Sequence, residues 1–252
     1  MDKSRFMALF PGEDPVLLAR LYGCIEAAWS GRPLVSNEFY TPAVWSRIEA
    51  QKGCLPPEAG FYGPLEADRR LFASPLDQAD GSIAVLEVKN LYPARPLAHQ
   101  DYMGALMSLG VRREKFSDLM VVSDCCYIPM LPEIMPYILE NLTKVGSNGV
   151  SCREVGLEEL SVLPRPVRER SLQVASLRLD ALVAEIAGIS RSQAEALIKS
   201  GKVLLNYREV KDRAQDVHTQ DVLTIRGSGK FRVGEITGET RKGRLRLTVE
   251  QY

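Results

Sequence analysis

The fold of the last third of the chain is decided by one stretch, SLRLDALVAEIAGISRSQAEALIKSGKVLLN, which runs from Ser176 to Asn206. In its first half, apolar residues recur at the spacing i, i+3, i+4 and i+7, which predicts one buried helix face. These residues are Leu179, Leu182, Val183 and Ile186. We therefore expect a short helix that begins at Arg178.

The second half of this stretch carries the start and stop signals of another helix. Ser190 is a favourable N-cap and is followed three residues later by Gln193, which is the capping-box pattern. Gly201 suits the left-handed position that commonly ends a helix. The buried face of this helix would consist of Ala194, Leu197 and Ile198. Two short helices that pack together are therefore expected.

Four short strands are predicted to follow the helices and to complete a small sheet. The first strand is expected to turn at Asn206 and Tyr207. The strands are Val203–Leu205, Val222–Arg226, Phe231–Ile236 and Arg244–Val249.

Charge is unevenly distributed along the chain, although the net charge is zero. Residues 164–252 contain 17 Lys and Arg against 11 Asp and Glu, a net charge of +6, whereas residues 1–163 contain 15 against 21, a net charge of −6. Clustered cations on one face attract phosphate, so the basic last third is typical of a module that binds a polyanion.

The overall composition, 45% apolar and 25% charged residues, is that of an ordinary globular protein. No run approaches the roughly 18 consecutive apolar residues of a membrane-spanning helix, and acids at Asp2, Glu13 and Asp14 stand where a signal peptide would be basic or apolar. We expect a cytoplasmic protein with no membrane partner. The five cysteines form no C-x-x-C pair and the chain has two histidines, so we expect reduced thiols, no metal site and no disulfide framework.

Residues 1–80 are predicted to form a mainly helical first domain. One helix begins at Glu13 or Asp14 and ends at Gly31, and another begins at the N-cap Thr41 and continues to Gly53. The other segments are a loop and a short strand, Leu55–Pro64 and Arg69–Ala73.

Residues 81–163 are predicted to form a second domain in the order β-α-β-β-α-β. In chain order its elements are Ser82–Asn90, His99–Leu109, Leu119–Val122, Cys126–Met130, a helix opened by Pro132, and Gly149–Val155. This ferredoxin-like order is shared by RNA-recognition domains and many unrelated proteins. The base-stacking signature of RNA-recognition domains is missing except for Tyr127, so a base platform and an ordinary structural sheet both remain open.

A linker rich in Pro and Arg, Ser161–Arg170, is predicted to lead to a third domain, residues 164–252. The predicted fold class of the chain is α+β.

The motif S-R-S-Q-A-x-x-L-I-x-x-G-K-V at Ser190–Val203, with the segments Ser176–Asp180 and Leu205–Asn206, resembles the S4 RNA-binding domain. The stretches HQDYMGALMSLGVRREKFSDLMV and GKFRVGEITGETRKGRLRLTV extend this resemblance to the YlmH family of S4-domain proteins, related to the photosystem II S4 domain proteins. It covers nearly the whole chain and is closest from about Ser82 onward.

Two positions depart from the family pattern. The family commonly has His-Arg-Asp where this chain has Gln100 between His99 and Asp101, and commonly has glycine where this chain has Gln220. At the second position we expect either a modest conformational cost or another type of turn, because glycine is the residue that tolerates positive φ.

The resemblance implies a non-catalytic protein that binds structured RNA of the translation machinery, namely rRNA or tRNA on the large ribosomal subunit. Similar family members take part in ribosome-associated quality control, where they support C-terminal tailing of stalled nascent chains. It implies neither a cofactor nor a small-molecule substrate. The residues themselves indicate only that a basic module recognises the shape and phosphates of folded RNA.

Ten residues are the candidate RNA-binding site, because they place cations, polar groups or helix N-terminal N–H groups on one module. They are Arg178, Ser190, Arg191, Gln193, Lys199, Lys202, Asn206, Arg208, Lys230 and Arg232. Arg191, Glu195 and Lys199 are also four residues apart, which is the usual spacing of an ion-paired solvated face. The resemblance favours RNA binding over that interpretation.

Three further basic segments each allow two interpretations. Arg226–Arg232 resembles a phosphate loop, but Thr224 and Phe231 stand where that motif needs glycine and Ser or Thr, so NTP hydrolysis is disfavoured and a turn that touches RNA or only connects strands is expected. The turn Arg241–Arg244 and the cluster Arg112–Lys115 are either RNA contacts or solvated surface.

Two other functional classes remain as alternatives. An S4-fused RNA-modifying enzyme would be a pseudouridine synthase, whose short motif resembles Arg178–Asp180, or a methyltransferase, whose glycine-rich loop is missing from residues 1–163. In the third interpretation the middle domain is a protein-docking module.

Overall fold

The computed structural model describes residues 2–164, 168–241 and 243–251. The described chain forms two compact units, the first ending at Pro164 and the second beginning at Arg168. Residues 165–167 of the linker predicted at Ser161–Arg170 lie outside the described residues, as does Lys242. Within the described part, Leu157–Val162 forms a 3-10 helix.

The first part of the first unit combines three helices with a small antiparallel sheet. The helices are α1 (Lys3–Ala8), α2 (Pro15–Trp29) and α3 (Pro42–Glu49). The strands are β1 (Leu34–Tyr40), β2 (Gly60–Tyr62) and β3 (Arg70–Ser74), in the order β1-β3-β2. The two predicted helices and the strand at Arg69–Ala73 are confirmed, whereas β1, β2 and α1 were not predicted.

Local chemistry explains the helix that the sequence predicted here. The side chain of Asp14 accepts a hydrogen bond from the Val16 amide, and Pro15 occupies the first turn, where its missing N–H costs nothing. The apolar stripe of α2 is buried at Leu18, Leu21, Ile25 and Ala28.

Strand β1 was missed because its polar residues hide the alternation. Strand β1 carries Glu38 at a buried position, where its carboxylate accepts a hydrogen bond from the Arg20 guanidinium at 2.6 Å. A buried charge is tolerated only with such a partner, and no sequence pattern reveals that partner. The prediction that Leu55–Pro64 is entirely loop was wrong, since Gly60–Tyr62 pairs with β3.

The rest of the first unit has the predicted β-α-β-β-α-β order. Its elements are β4 (Ala84–Asn90), α4 (His99–Ser108), β5 (Met120–Val122), β6 (Cys125–Met130), α5 (Met135–Asn141) and β8 (Asn148–Val155), with the short β7 (Lys144–Val145) added at one edge. The strand order is β5-β6-β4-β8-β7, and all pairs are antiparallel. This is the ferredoxin-like order. Asp101 caps α4, because its carboxylate accepts a hydrogen bond from the Ala98 amide at 2.7 Å.

The five-stranded sheet has a helix side and an outer side. On the helix side, buried residues of the strands and helices form one core; examples are Leu86, Val88, Leu106, Ile128 and Ile138. Alternate residues of β4 and β8 point outward, because successive side chains of a strand face opposite sides. We call this second side the outer sheet face.

The second unit packs two helices against one face of a six-stranded sheet. The helices are α6 (Leu179–Ala187) and α7 (Arg191–Lys199). The strands are β9 (Arg168–Val174), β10 (Val203–Leu205), β11 (Arg208–Glu209), β12 (Val222–Ile225), β13 (Gly229–Glu239) and β14 (Leu245–Gln251). Their order is β11-β10-β12-β13-β14-β9. The predicted helices and the four predicted strands are confirmed. Strands β9 and β11 were not predicted, and β9 begins within the segment that was predicted to be linker.

The core of this unit contains the apolar face predicted for each helix. Leu179, Leu182 and Val183 of α6 are fully buried, and Ala194 and Ile198 of α7 meet the same cluster. The sheet contributes residues that include Val203, Ile225, Phe231, Val233 and Leu247. The polar face of α7 must therefore point to solvent.

Gln220 adopts the left-handed backbone that glycine would favour, with φ of 73°. Its amide donates a hydrogen bond to the Val233 carbonyl at 2.7 Å, which holds the turn before β12 in place. The sequence left open either a conformational cost at Gln220 or another type of turn. The structure has the glycine-type turn, so Gln220 bears the free-energy cost of a positive φ.

We expect Gln220→Gly to raise the free energy of unfolding of the second unit by about 0.5–1 kcal/mol, because glycine removes the left-handed penalty of about 1 kcal/mol or more at some cost in chain entropy. Native-state hydrogen exchange of the β13 amides measures this change. Gln220→Ala is the control and should bring no gain, since alanine keeps the penalty. A loss of protection in the glycine variant would contradict the account.

Candidate nucleic-acid interface

The start of α7 is organised by a capping box. The Ser190 hydroxyl accepts a hydrogen bond from the Gln193 amide at 3.3 Å, and the Gln193 side-chain oxygen accepts one from the Ser190 amide at 2.9 Å. This confirms the capping pattern and shows that both side chains are occupied in holding the helix end. Arg191, the first residue of the helix, is exposed. The helix dipole adds partial positive charge at this end.

The far end of α7 collects three cations beside the sheet. Lys199 is the last helical residue, and Lys202 precedes β10. The Lys202 carbonyl accepts a hydrogen bond from the Arg226 amide at 2.9 Å, which brings Arg226 to the same end. Both Lys202 and Arg226 are exposed. We call Arg191, Lys199, Lys202 and Arg226 the α7 cations.

Glu195 lies between the two ends of α7 and forms ion pairs with some of the nearby cations. Its carboxylate binds Lys199 at 2.9 Å and Arg213 at 2.5 Å. These hydrogen bonds, that of Lys199 first, lower the pKa of Glu195. The ion-paired interpretation therefore holds for Lys199. Within the described part of the chain, neither Arg191 nor Lys202 has an acid within ion-pair distance.

Arg178 is committed to an intramolecular ion pair. Its Nε and Nη2 atoms donate to the two carboxylate oxygens of Asp180 at 3.2 and 3.3 Å. Asp180 is a first-turn acid of α6, as predicted, but only 5% of its surface is exposed. A buried carboxylate needs its partner, so the first role of Arg178 is to neutralise Asp180.

Asn206 and Arg208 belong to the tight hairpin between β10 and β11. Asn206 and Tyr207 have φ of 47° and 64°, which is the pair of positive values that a type I′ turn requires. The Asn206 amide group donates to Asp221 at 2.7 Å, and its oxygen accepts from the Val222 amide at 2.9 Å. Asn206 thus joins two strands of the sheet, while Arg208 is exposed beside the turn.

Lys230 and Arg232 lie on the other side of the sheet from α7. They alternate along β13 with Phe231 and Val233, which are buried in the core beneath the helices. The Lys230 ammonium lies 5.5 Å from the centre of the Tyr207 ring, within the range of a cation–π contact. These two residues are therefore separate from the α7 cations.

The glycines of the Arg226–Arg232 segment serve a strand connection. Gly227 and Gly229 have φ of 92° and 122°, and the Ser228 amide donates to the Ile225 carbonyl at 2.9 Å. In the turn predicted at Arg241–Arg244, the Arg244 amide donates to the Thr240 hydroxyl at 3.0 Å, and its side chain lies 3.3 Å from Glu185.

The cluster Arg112–Lys115 holds parts of the first unit together. Arg113 donates to the carbonyls of Phe116 and Ser117 at 2.6 and 3.0 Å, and burial lowers the pKa of its guanidinium to about 10. Lys115 binds Glu133 at 2.9 Å, and Arg112 binds Glu114 at 3.3 Å. Arg113 and Lys115 therefore have a structural role, whereas Arg112 remains exposed surface that is paired with a neighbouring residue.

Tyr127 is half-buried. It packs with Leu65, Met120 and Leu157 against a small cluster around Leu160 on the outer sheet face. Burial, followed by a hydrogen bond to Glu87, raises the pKa of its phenol to about 12. The position that would carry a stacking aromatic is thus used for packing.

Other kinds of site receive no support from the described residues. In that part of the chain, no helix is long and apolar enough to cross a membrane, and no group of His, Cys, Asp or Glu has the arrangement of a metal site. The five cysteines are free thiols, and burial raises the pKa of Cys126 and of Cys152.

The geometry therefore separates the ten predicted residues into groups. The end of α7 and the loop after it bring together Lys199 and Lys202, and Arg226 lies beside them, while Arg191 is exposed at the start of the helix. Arg226 was missed as a site residue, although it ends the predicted strand Val222–Arg226; in the structure Ile225 of that strand pairs with Val203. Of the other predicted residues, Ser190 and Gln193 form the cap, Arg178 is ion-paired, and Lys230 and Arg232 lie on the other sheet face. Asn206 joins two strands, and Arg208 is exposed beside the turn.

Two helices packed on an antiparallel sheet, with an exposed cationic helix edge, define an RNA-binding S4-domain protein. The model "S4 domain" matches residues 177–223, and the model "Putative RNA-binding domain in YlmH" matches residues 77–159. The ribosome-associated protein quality control protein P2 of Bacillus subtilis (strain 168) is 30% identical over 207 residues, which are 82% of this chain and 75% of the relative. The chain belongs to the YlmH family of S4-domain RNA-binding proteins.

A solved structure, cell division protein ylmH from Streptococcus pneumoniae, aligns with a TM-score of 0.45 and 18% identity, and the alignment covers 60% of this chain and 95% of that chain.

We expect Asn206→Ala to lower the free energy of unfolding of the second unit by about 1–2 kcal/mol, because two hydrogen bonds are lost and alanine disfavours the positive φ. Urea unfolding followed by circular dichroism measures this loss. Lys202→Ala, four residues earlier and exposed, is the matched control and should change stability little. If both variants were equally stable, the structural role assigned to Asn206 would be wrong.

Proposed function

We propose that the chain is a non-catalytic factor that binds structured RNA of the translation machinery, rRNA or tRNA on the large ribosomal subunit in the cytoplasm. We propose further that it acts in the quality control of stalled nascent chains. Two observations support this function, namely the exposed cations of α7 in the second unit and the name of a relative.

The observation that carries the proposal is the set of α7 cations. Arg191 lies at one end of the helix and Lys202 and Arg226 at the other, so exposed positive charge is spread over the helix length of about 13 Å. Cations held at such fixed separations suit the phosphates of a folded RNA rather than one small anion.

The relative supplies the cellular setting. It is named a ribosome-associated protein quality control protein, and this chain matches three quarters of its length. The three-domain division at residues 80/81 and 163/164 belongs to the same proposal, with the middle domain as a second part that meets the ribosome.

The burial of Asp180 supports the non-catalytic part of the proposal over a pseudouridine synthase. A catalytic carboxylate must reach a base, whereas Asp180 is 5% exposed and bound on both oxygens by Arg178. The Arg226–Arg232 segment likewise forms a hairpin connection with Phe231 in the core.

We expect the double variant Arg191→Ala, Lys202→Ala to bind a ribosomal RNA stem-loop about tenfold more weakly at physiological salt. The slope of log affinity against log salt should fall by about one to two, because up to two phosphate contacts are removed. A salt titration of binding by fluorescence anisotropy measures both quantities.

The matched control is Lys3→Ala, Lys52→Ala, which removes the same net charge at exposed positions of the first unit. It should leave the slope unchanged. If the α7 double variant kept both its affinity and its slope, these two residues would not belong to the RNA site.

On ribosomes, we expect the wild-type chain to co-sediment with the large subunit and the α7 double variant to lose most of this association in moderate salt.

Purified protein incubated with ribosomal RNA should leave every nucleoside unmodified, as measured by mass spectrometry of digested RNA. Turnover of any nucleoside would refute the non-enzymatic part of the proposal, and co-sedimentation of the variant at the wild-type level would refute the ribosomal role of α7.

A further inference from the structure

The outer sheet face of the first unit is covered over one half only. There, Val85 and Val155 pack with Leu160, which follows β8 and folds back over the sheet. The Glu87–Arg153 ion pair, at 2.7 Å, closes the covered half. Beyond this pair the strands continue, and in the described part of the first unit the residues Lys89, Ser151 and Lys144 of the remaining part are exposed. We call it the open half.

The strand register places a defined set of residues on the open half. Directly opposite residues of paired strands share a face, so Lys89 lies between Cys125 and Ser151. One step further along β8, Gly149 lies opposite Lys144 of β7. Lys89 and Lys144 are separated by two strand spacings across the sheet, about 10 Å, and by two residues along the strands, about 7 Å.

A rigid loop places an aromatic ring at the edge of this surface. Leu91 and Tyr92, immediately after β4, are both 54% exposed. The Leu91 amide donates to the Gly149 carbonyl at 3.2 Å. A Cβ atom on Gly149 would lie 3.5 Å from Cε2 of Tyr92, so the ring lies beside the bare backbone of this glycine.

Two buried amides fix the loop. Asn90 and Asn148 are 1% and 2% exposed, and the Asn148 amide donates to the Asn90 oxygen at 3.1 Å. Both amides donate to the Arg95 carbonyl, at 2.9 and 2.8 Å, and the Asn90 oxygen accepts from the Tyr92 amide at 3.0 Å. Since the loop backbone is held in advance, little conformational entropy is lost when Tyr92 meets a ligand.

The charges of the open half favour an anion. Lys89 and Lys144 are exposed, and within the described residues neither has an acid at ion-pair distance. Arg153 binds two acids, Glu87 and Glu159, on the covered half. Two acids adjoin the open half, namely Asp124, in the turn beside Cys125, and Glu87, two residues before Lys89 on the same face.

We propose that the open half binds unpaired nucleotides of RNA, with a base stacked on Tyr92 and the neighbouring phosphates bound by Lys89 and Lys144. The proposal deepens the function proposed above, because it adds a single-stranded segment to the folded RNA that α7 binds. An aromatic ring flanked by cations on a flat surface is the general means of holding unpaired bases. The aromatic comes from a loop, since the strand position of Tyr127 is occupied by packing.

The test compares two RNA probes bound by the full chain, a blunt stem-loop and the same stem-loop with an unpaired extension of about six uridines. We expect Tyr92→Ala to weaken binding of the extended probe about tenfold and to leave the blunt probe unaffected, because base stacking is lost. Tyr92→Trp should keep the affinity. Lys89→Ala, Lys144→Ala should weaken the extended probe and lower its salt slope.

Matched controls separate this surface from general effects. Tyr137→Ala removes a tyrosine of similar exposure, 48%, from α5 on the helix side, and Lys3→Ala, Lys52→Ala removes two exposed lysines elsewhere. Both should bind the extended probe as the wild type does. A cross-link from 5-bromouridine in the extension to the peptide that contains Tyr92 would support the proposal directly.

The outcomes distinguish this inference from the function on which it rests. If Tyr92→Ala bound both probes normally while the α7 double variant lost both, the open half would not be an RNA site and the proposed function would stand. If Tyr92→Ala lost only ribosome co-sedimentation, the surface would bind a protein and the inference would be wrong. If the wild-type chain bound neither probe, both proposals would fall.

Discussion

The contact between the apolar faces of α6 and α7 and the inner face of the six-stranded sheet is the interaction on which the RNA-binding unit depends. Leu182 and Ile198 from the helices and Phe231 from the sheet are almost completely buried in one cluster. Each such side chain contributes about 1.5–3 kcal/mol by leaving water. Because this contact fixes the rotation of α7 about its axis, it also decides that Arg191 faces solvent. Packing and the electrostatic surface are therefore two results of one arrangement.

The two units use their basic residues differently. In the first unit, Arg113 donates hydrogen bonds to backbone carbonyls and Lys115 binds a carboxylate, so both residues stabilise the fold. In the second, Arg191 and Lys202 lie beyond the reach of an acid among the described residues, while Glu195 is occupied by Lys199 and Arg213. A cation that is bound to a carbonyl or carboxylate of the protein stabilises the fold. An exposed cation without such a partner is available to bind phosphate. The sequence separates these classes poorly, because both appear as short basic runs.

Much of the fold was predictable because its signals are local. The capping box at Ser190, the apolar faces of α6 and α7 and the β-α-β-β-α-β order all follow from spacing within a few residues. Strand β1 was missed because the partner of Glu38, Arg20, comes from an earlier helix. Lys230 and Arg232 were grouped with Arg191, although strand alternation beside the buried Phe231 places them on the opposite face. Arg226 was missed because its proximity to Lys202 arises from strand pairing.

By itself, the sequence determined both helices and four of the six strands of the second unit, its S4 class and the sign of its charge, since propensity, apolar spacing and composition are properties of neighbouring residues. Only the tertiary structure decided which cations are free. It showed that Asn206 joins two strands and that Arg178 neutralises the buried Asp180. It also showed that Tyr127 is partly buried in packing, while Tyr92 is exposed on a loop fixed by Asn90 and Asn148. The physical reason is that hydrogen bonds, ion pairs and burial depend on distances between residues far apart in the chain, and these distances exist only once the sheets have formed.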